Sequence, residues 1–247
     1  MKLVLIFVLT ISNIFNIGIV SNAGIIGKKE CVWPRGKILQ VKFMHPPDTP
    51  LSQDEFHETK NRVQEAALEW TKETPVRFNF IESGDADIRV MFRKKGSASE
   101  MGACANLDQN HETMNLDIGP ATPEKTFQST VWHEFGHALG LDHEMQHPES
   151  DIAWNVTRLY EGYGYKNKDF VDAQILEKMK DTNLKTTYDS SSIMHYPVPA
   201  HDTLDGRVVN ENFKISRLDK ELIRNVYRIK PQIKIDESGI CHHLSET

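Results

Sequence analysis

One eleven-residue stretch constrains this 247-residue chain more than any other: HEFGHALGLDH, residues 133–143. Residues four apart on a helix share a face, so His133 and His137 can converge on one ion. A helix that simply continued would point a third ligand, six residues later, away from it. Gly140 removes that obstacle, because glycine accepts the left-handed conformation that ends a helix and turns the chain. His143 can then come back to the same ion. Three neutral imidazoles suit Zn²⁺ and leave at least one coordination position open, as a catalytic site does and a structural site does not. Glu134 can lean over that position and take a proton from water whose pKa the metal lowers towards ~7. Five fixed residues in this pattern arise by chance with odds on the order of 10⁻⁵. Two plainer readings compete: a surface helix with solvated histidines, and a structural zinc site. The latter would use cysteines or four protein ligands, and neither explains Glu134.

The two ends of the chain bear on where such chemistry would operate. Residues 1–23 begin Met-Lys, continue through the apolar run LVLIFVLTISNIFNIGIV and end in Ser-Asn-Ala. That is the pattern of a secretory signal peptide, with cleavage expected after Ala23. An uncleaved membrane anchor is the rival, weakened by Asn13, Asn16 and Gly18. No other stretch approaches the ~20 apolar residues of a membrane span. A secreted chain meets an oxidising compartment. Its cysteines are Cys31, Cys104 and Cys241, an odd number. Cys31 and Cys241 lie near the two ends of the mature chain, which favours that pairing and leaves the others open. Asn155, in Asn-Val-Thr, is a candidate glycosylation site on an exposed loop. With 39% hydrophobic residues the chain can build a real core. A net charge of −6 without a lysine/arginine block argues against nucleic acid as a partner.

No repeat or linker divides residues 24–247, which read as one domain with a core at about 31–230 and a tail at 231–247. KILQVKF (37–43) reads as a strand. Ser52 and Glu55 form a capping box ahead of an amphipathic helix carrying Phe56, Val63, Ala66, Ala67 and Trp70. Residues 76–81, 87–92 and 114–119 read as strands. The histidine helix is expected to start with Thr122 as cap and Pro123 in its first position, and to end at Gly140. The loop-rich remainder shows one helix near 168–180 and a last one at about 217–228, capped by Ser216.

HEFGHALGLDH carries the metzincin zinc signature, and Glu144 extends it to the form typical of the astacin family. YDSSSIMHYP (188–197) resembles the astacin methionine turn, CVWPRGKILQVKF the entry to an astacin catalytic domain, and LDKELIRNVY its closing helix. The resemblance spans nearly the whole mature chain, although only the two zinc motifs are strongly specific. It implies an α+β, two-lobed zinc protease. The upper lobe would hold a twisted mixed sheet and helices; the irregular lower lobe would hold the methionine turn and the terminal helix. Met194 would underlie the three ligands, and Tyr196 would bind zinc or swing to the transition state. Asn115, Leu116 and Asp117 would form the strand whose free edge pairs with substrate. His147 and His195 are expected to stay outside the ligand set.

The chain departs from the family pattern in three ways. Pro75 and Ser97 stand where astacins carry cysteines, so the usual bridges cannot form. Only about ten residues separate the signal peptide from Trp33, without the aspartate that keeps relatives latent, so the enzyme is expected to be secreted active; Cys31 as a thiolate plug on the zinc is the less favoured alternative. In trimmed relatives the buried amino terminus pairs with the glutamate that Glu144 matches, a role that an extra segment left by cleavage after Ala23 puts in doubt. The expected protein is a monomeric, secreted zinc endopeptidase with one catalytic Zn²⁺, acting on protein or peptide substrates and free of the membrane after signal cleavage. A matrixin-like protease, or an inactive secreted binder that retains the fold, remains open.

Overall fold

The computed structural model describes residues 25–47, 49–163, 167–179 and 184–229, and the backbone alone of 232–235 and 241–244. The expected signal peptide therefore lies outside the described residues. Among them, no helix is long and apolar enough to cross a membrane.

Five strands form one mixed sheet: β1 (Ile38–Phe43), β2 (Arg77–Ile81), β3 (Ile88–Phe92), β4 (Ala98–Ser99) and β5 (Met114–Leu116), in the order β2-β1-β3-β5-β4. All neighbours run parallel except β4, which is antiparallel to β5. β3 is buried at every position, as a strand covered on both faces should be.

Helix α1 (Gln53–Ala67) follows β1. Ser52 and Glu55 close the expected capping box at its start. Its apolar stripe, Phe56, Val63, Ala66 and Ala67, enters the main core. Helix α2 (Glu124–Ala138) carries the first two histidines and packs on α1. The packing is locked both ways: Trp70 Nε1 donates to Trp132 O at 3.0 Å, and Trp132 Nε1 donates to Ala66 O at 2.9 Å. α2 starts one residue later than expected. Pro123 is its cap, and Thr122 Oγ1 instead accepts from Gly119 N at 3.0 Å.

Below α2 the chain is mostly irregular. It contains α3 (Val156–Tyr163), α4 (Lys168–Val171) running into a π-helical turn at Asp172–Leu176, and α5 (Arg217–Tyr227). Two small apolar clusters, around Met145 and Leu159, support this part, whereas α5 lays Leu222, Ile223 and Val226 on the main core. The α+β, two-part architecture is thus the expected one. A two-stranded ribbon, β6 (Gln232–Ile235) and β7 (Cys241–Leu244), follows α5 and carries His242 and His243.

The cysteine pairing requires a correction. Cys31 bonds Cys104, with Cα atoms 4.7 Å apart, and not Cys241. Nearness to the chain ends does not make the ends meet. Ile25 and Ile26 are buried and bridge to Lys185 and Leu141, so the N-terminal segment runs along the metal-binding half of the molecule. There the turn holding Cys31 lies against the turn Gly102–Cys104. A bonded Cys31 cannot act as a thiolate plug.

Candidate metal centre

The end of α2 shows why a third ligand can return. Gly140 takes φ = +91°, where only glycine sits without strain. Leu141 N donates to Gly136 O and Gly140 N to His137 O, the paired bonds of a Schellman motif. Two carbonyls of the last turn remain. Trp33 Nε1 donates to Ala138 O at 2.8 Å, and Tyr227 Oη to Leu139 O at 2.7 Å. A buried helix end is thereby fully bonded, which makes the turn towards His143 a stable feature.

His133, His137 and His143 come together, with one potential ligand atom from each lying within 4.8 Å of the others. His133 Nδ1 lies 2.9 Å from Ile193 O, and His137 Nδ1 lies 2.8 Å from Leu141 O. Carbonyls only accept, so both rings carry their proton on Nδ1 and present a bare Nε2. The Nε2 atoms of His137 and His143 are 3.1 Å apart. Two ligands at ~2.05 Å from a tetrahedral zinc stand about 3.3 Å apart. A proton on His143 Nε2 could join that pair, but it would leave the His133 lone pair unmatched; one cation satisfies all three. Protonation is also disfavoured, since burial pushes His133 down to about 3 and His137 to about 4, and lowers His143. The residues fit a zinc ion.

Glu134 is 6% exposed, and its Oε2 has no partner among the described residues. Burial pushes its carboxyl up to about 8; a bound dication would act in the opposite direction. Tyr196 stands over the triad, its ring 4.4 Å from that of His143 and 5.6 Å from that of His133. Burial raises its phenol, keeping it protonated and able to donate. Met194 is buried below, and a β-carbon at Gly136 would overlap its sulfur. Glu144 N donates to Met194 O at 3.1 Å, tying the third-ligand segment to the methionine turn.

The neighbouring groups stay out of the triad, as expected. His147 is buried between Thr186 O and Glu149 N, and His195 bonds Tyr188 Oη and Tyr196 O. Glu144 accepts from Asp189 N at 2.7 Å through Oε1. Asn155 is half-buried, and its Oδ1 accepts from Arg158 N in the first turn of α3. The substrate-strand expectation is corrected at Asn115, which pairs with Ala98 and so is not on a free edge, and Asp117 lies beyond β5. β5 is paired on both sides, and the edge belongs to Ala98–Ser99. Asn115 and Asp117 instead hold the loop before that edge, through bonds to Arg93 O, Gly96 O and Gly96 N. β4 is two residues long, which is why no alternation announced it.

Sequence reasoning also missed Asp219, on α5. It is fully buried and accepts from Ser192 Oγ at 2.6 Å, Ile193 N at 3.0 Å and Ser216 N at 2.9 Å. One carboxylate thus caps α5 and fixes the residue whose carbonyl orients His133. The only local signal was its capping-box position three residues after Ser216.

A helix with two histidine ligands, a glycine-turned third, an adjacent glutamate and a methionine floor define a zinc metallopeptidase of the metzincin type. Residues 40–227 match the peptidase family described as Astacin, and the chain belongs to that family of zinc metalloproteases. It is 26% identical over 184 residues to Protein SpAN of Strongylocentrotus purpuratus, covering 67% of this chain and 28% of that protein. It is 28% identical over 149 residues to zinc metalloproteinase dpy-31 of Caenorhabditis elegans, covering 59% and 23%. The chain therefore spans about a quarter of the length of these curated relatives. The solved structure of myroilysin superposes with a TM-score of 0.72 at 33% identity, covering 84% of this chain and all of that one.

Proposed function

We propose that the protein is a secreted zinc-dependent endopeptidase that cleaves peptide bonds in proteins, with Glu134 as general base and Tyr196 as the donor to the developing oxyanion. The observation that carries this reading is the buried Glu134 Oε2, without a partner among the described residues, beside three converging imidazoles. His133, His137 and His143 would hold the ion. Bound zinc supplies Lewis acidity, which polarises a scissile carbonyl and makes hydroxide available at neutral pH. Glu134 receives the proton of the attacking water and passes it to the leaving amine. Tyr196, protonated and standing over His143, donates a hydrogen bond where negative charge develops on the carbonyl oxygen. The β4 edge offers backbone groups to an extended peptide. Secretion rests on the signal-peptide pattern of residues 1–23, and the Cys31–Cys104 bridge suits the same compartment.

The test is Glu134→Gln. The variant should keep about one zinc per chain, measured by atomic emission, and lose proteolysis of a denatured protein by a factor of at least ~10². A wild-type protein that holds zinc and cleaves nothing would sink the reading. Tyr196→Phe separates the astacin mechanism from a matrixin-like one, since turnover should fall strongly only in the former.

A further inference from the structure

A cavity of about 250 Å³ opens beside Glu134 on the side away from His137 and His143. Ser129 and Thr130 of α2 line it together with Ile193, Pro197, Glu211 and Asn212. Ser129 and Asn212 have their donors engaged elsewhere, which leaves the hydroxyls of Ser97, Thr130 and Tyr196 as the neutral donors of the lining. Ser129 Oγ donates to Thr126 O at 3.2 Å. Asn212 Nδ2 donates to Ser190 O and Ser192 O, each at 2.9 Å. Both partners are carbonyls, so the amide nitrogen must face them, and Oδ1 is left as an acceptor with no partner among the described residues. Glu211 is exposed and makes no hydrogen bond or ion pair among the described residues. No lysine or arginine lines the cavity. Lys125 lies 5.8 Å from the Phe213 ring and forms no ion pair with Glu211.

Glu211 is nonetheless held in place. Val198 and Val209 exchange two backbone hydrogen bonds, at 2.8 and 2.9 Å, and so fix the strand pair two residues before it. Asn212, the next residue, is anchored to the methionine-turn backbone. A carboxylate without a counter-ion among the described residues thus lines a cavity that also holds the unpartnered Asn212 Oδ1 and the apolar Ile193 and Pro197.

We propose that this cavity receives the side chain of the residue following the scissile bond and selects lysine or arginine there, with Glu211 as the specificity-determining residue. This inference rests on the peptidase reading above. Glu134 hands its proton to the leaving amine, and that amine belongs to the residue after the bond, so its side chain enters the cavity that Glu134 lines. A long basic side chain lays its aliphatic stem on Ile193 and Pro197 and places its donors at Glu211 and Asn212 Oδ1.

A set of internally quenched peptides differing only at the residue after the cleaved bond tests this. Wild type should show kcat/KM on the order of ten-fold higher for lysine or arginine than for glutamine or methionine. Glu211→Gln should flatten that ratio, and Glu211→Lys should turn the preference towards aspartate and glutamate. An unchanged side-chain profile in Glu211→Lys overturns the proposal, as does a wild-type preference for acidic or small residues. If wild type cleaves no peptide at all, the peptidase reading fails first and takes this inference with it; cleavage without the basic preference removes the inference alone.

Discussion

Gly136 shows how closely the metal helix is fitted to its floor. Glycine to alanine inside a helix ordinarily stabilises by about 0.5–1 kcal/mol. Here an added β-carbon meets the Met194 sulfur and the Trp70 ring, both buried with nowhere to retreat. Gly136→Ala should therefore destabilise by about 1–3 kcal/mol in urea unfolding, the range for overpacked cores. A gain in stability would mean that Met194 is not fixed beneath the ligands. Asp219 offers a second residue-level test. Complete burial pushes its carboxyl up to about 6, against ~3.9 in an unfolded chain. The folded state then holds this proton more tightly than the unfolded state. The group's contribution is fully present below ~pH 4 and is lost as pH rises through about 6. An asparagine in its place cannot titrate. The stability of wild type relative to Asp219→Asn should thus fall between pH 4 and pH 7, by on the order of 3 kcal/mol. A difference that stays flat with pH would show that Asp219 does not titrate in that window. The histidines and Glu134 were legible in the sequence because the helix period and one glycine encode their convergence. Asp219 was not, because it acts across 26 residues on Ile193.

At the scale of elements, legibility followed the strength of local signals. The capping box at Ser52 forms as read, and Ser216 caps α5 as expected, in a capping box that Asp219 completes. The four longer strands lie within a few residues of the runs read as strands, two of which, 76–81 and 87–92, were marked by alternating apolar residues. α3 was missed because Asn155, its cap, was read only as part of Asn-Val-Thr, and the region around it has small apolar clusters of its own. β4 carries too few residues for any period to show. The disulfide was misread because sequence offers no distance between Cys31 and its two possible partners. Its energetic role is now calculable. Residues 31 and 104 close a loop of 73 residues, for which unfolded-chain entropy gives about 4 kcal/mol. The Cys31→Ala/Cys104→Ala variant should lose roughly that much in equilibrium unfolding. Peptide mapping without reductant should recover residues 31 and 104 in one cross-linked fragment. A cross-link from Cys31 to Cys241 would overturn the pairing.

Across the whole molecule, the metal centre is where parts of very different regularity meet. His133 and His137 come from α2, which packs against α1 and against β4 and β5 of the sheet. His143 comes from the return after Gly140, and Met194 and Tyr196 from the irregular half. Among the described residues that half has only two small clusters, so it depends on its attachments to α2 and α5. In the absence of a cation, three bare imidazole nitrogens would face one another in a buried space, a cost that binding removes. A ligand held by the folded state alone adds about 4 kcal/mol at a thousand-fold excess over its Kd. Removing zinc with 1,10-phenanthroline should therefore lower the Tm by several degrees, and zinc readdition should restore it. Glu134→Gln should show the same chelator-dependent drop, because it keeps the ligands and loses only the base. His143→Ala should start from the lower Tm and respond little to chelator. If wild type and His143→Ala melt alike and neither responds to chelator, the histidines do not tie the two halves together through a metal.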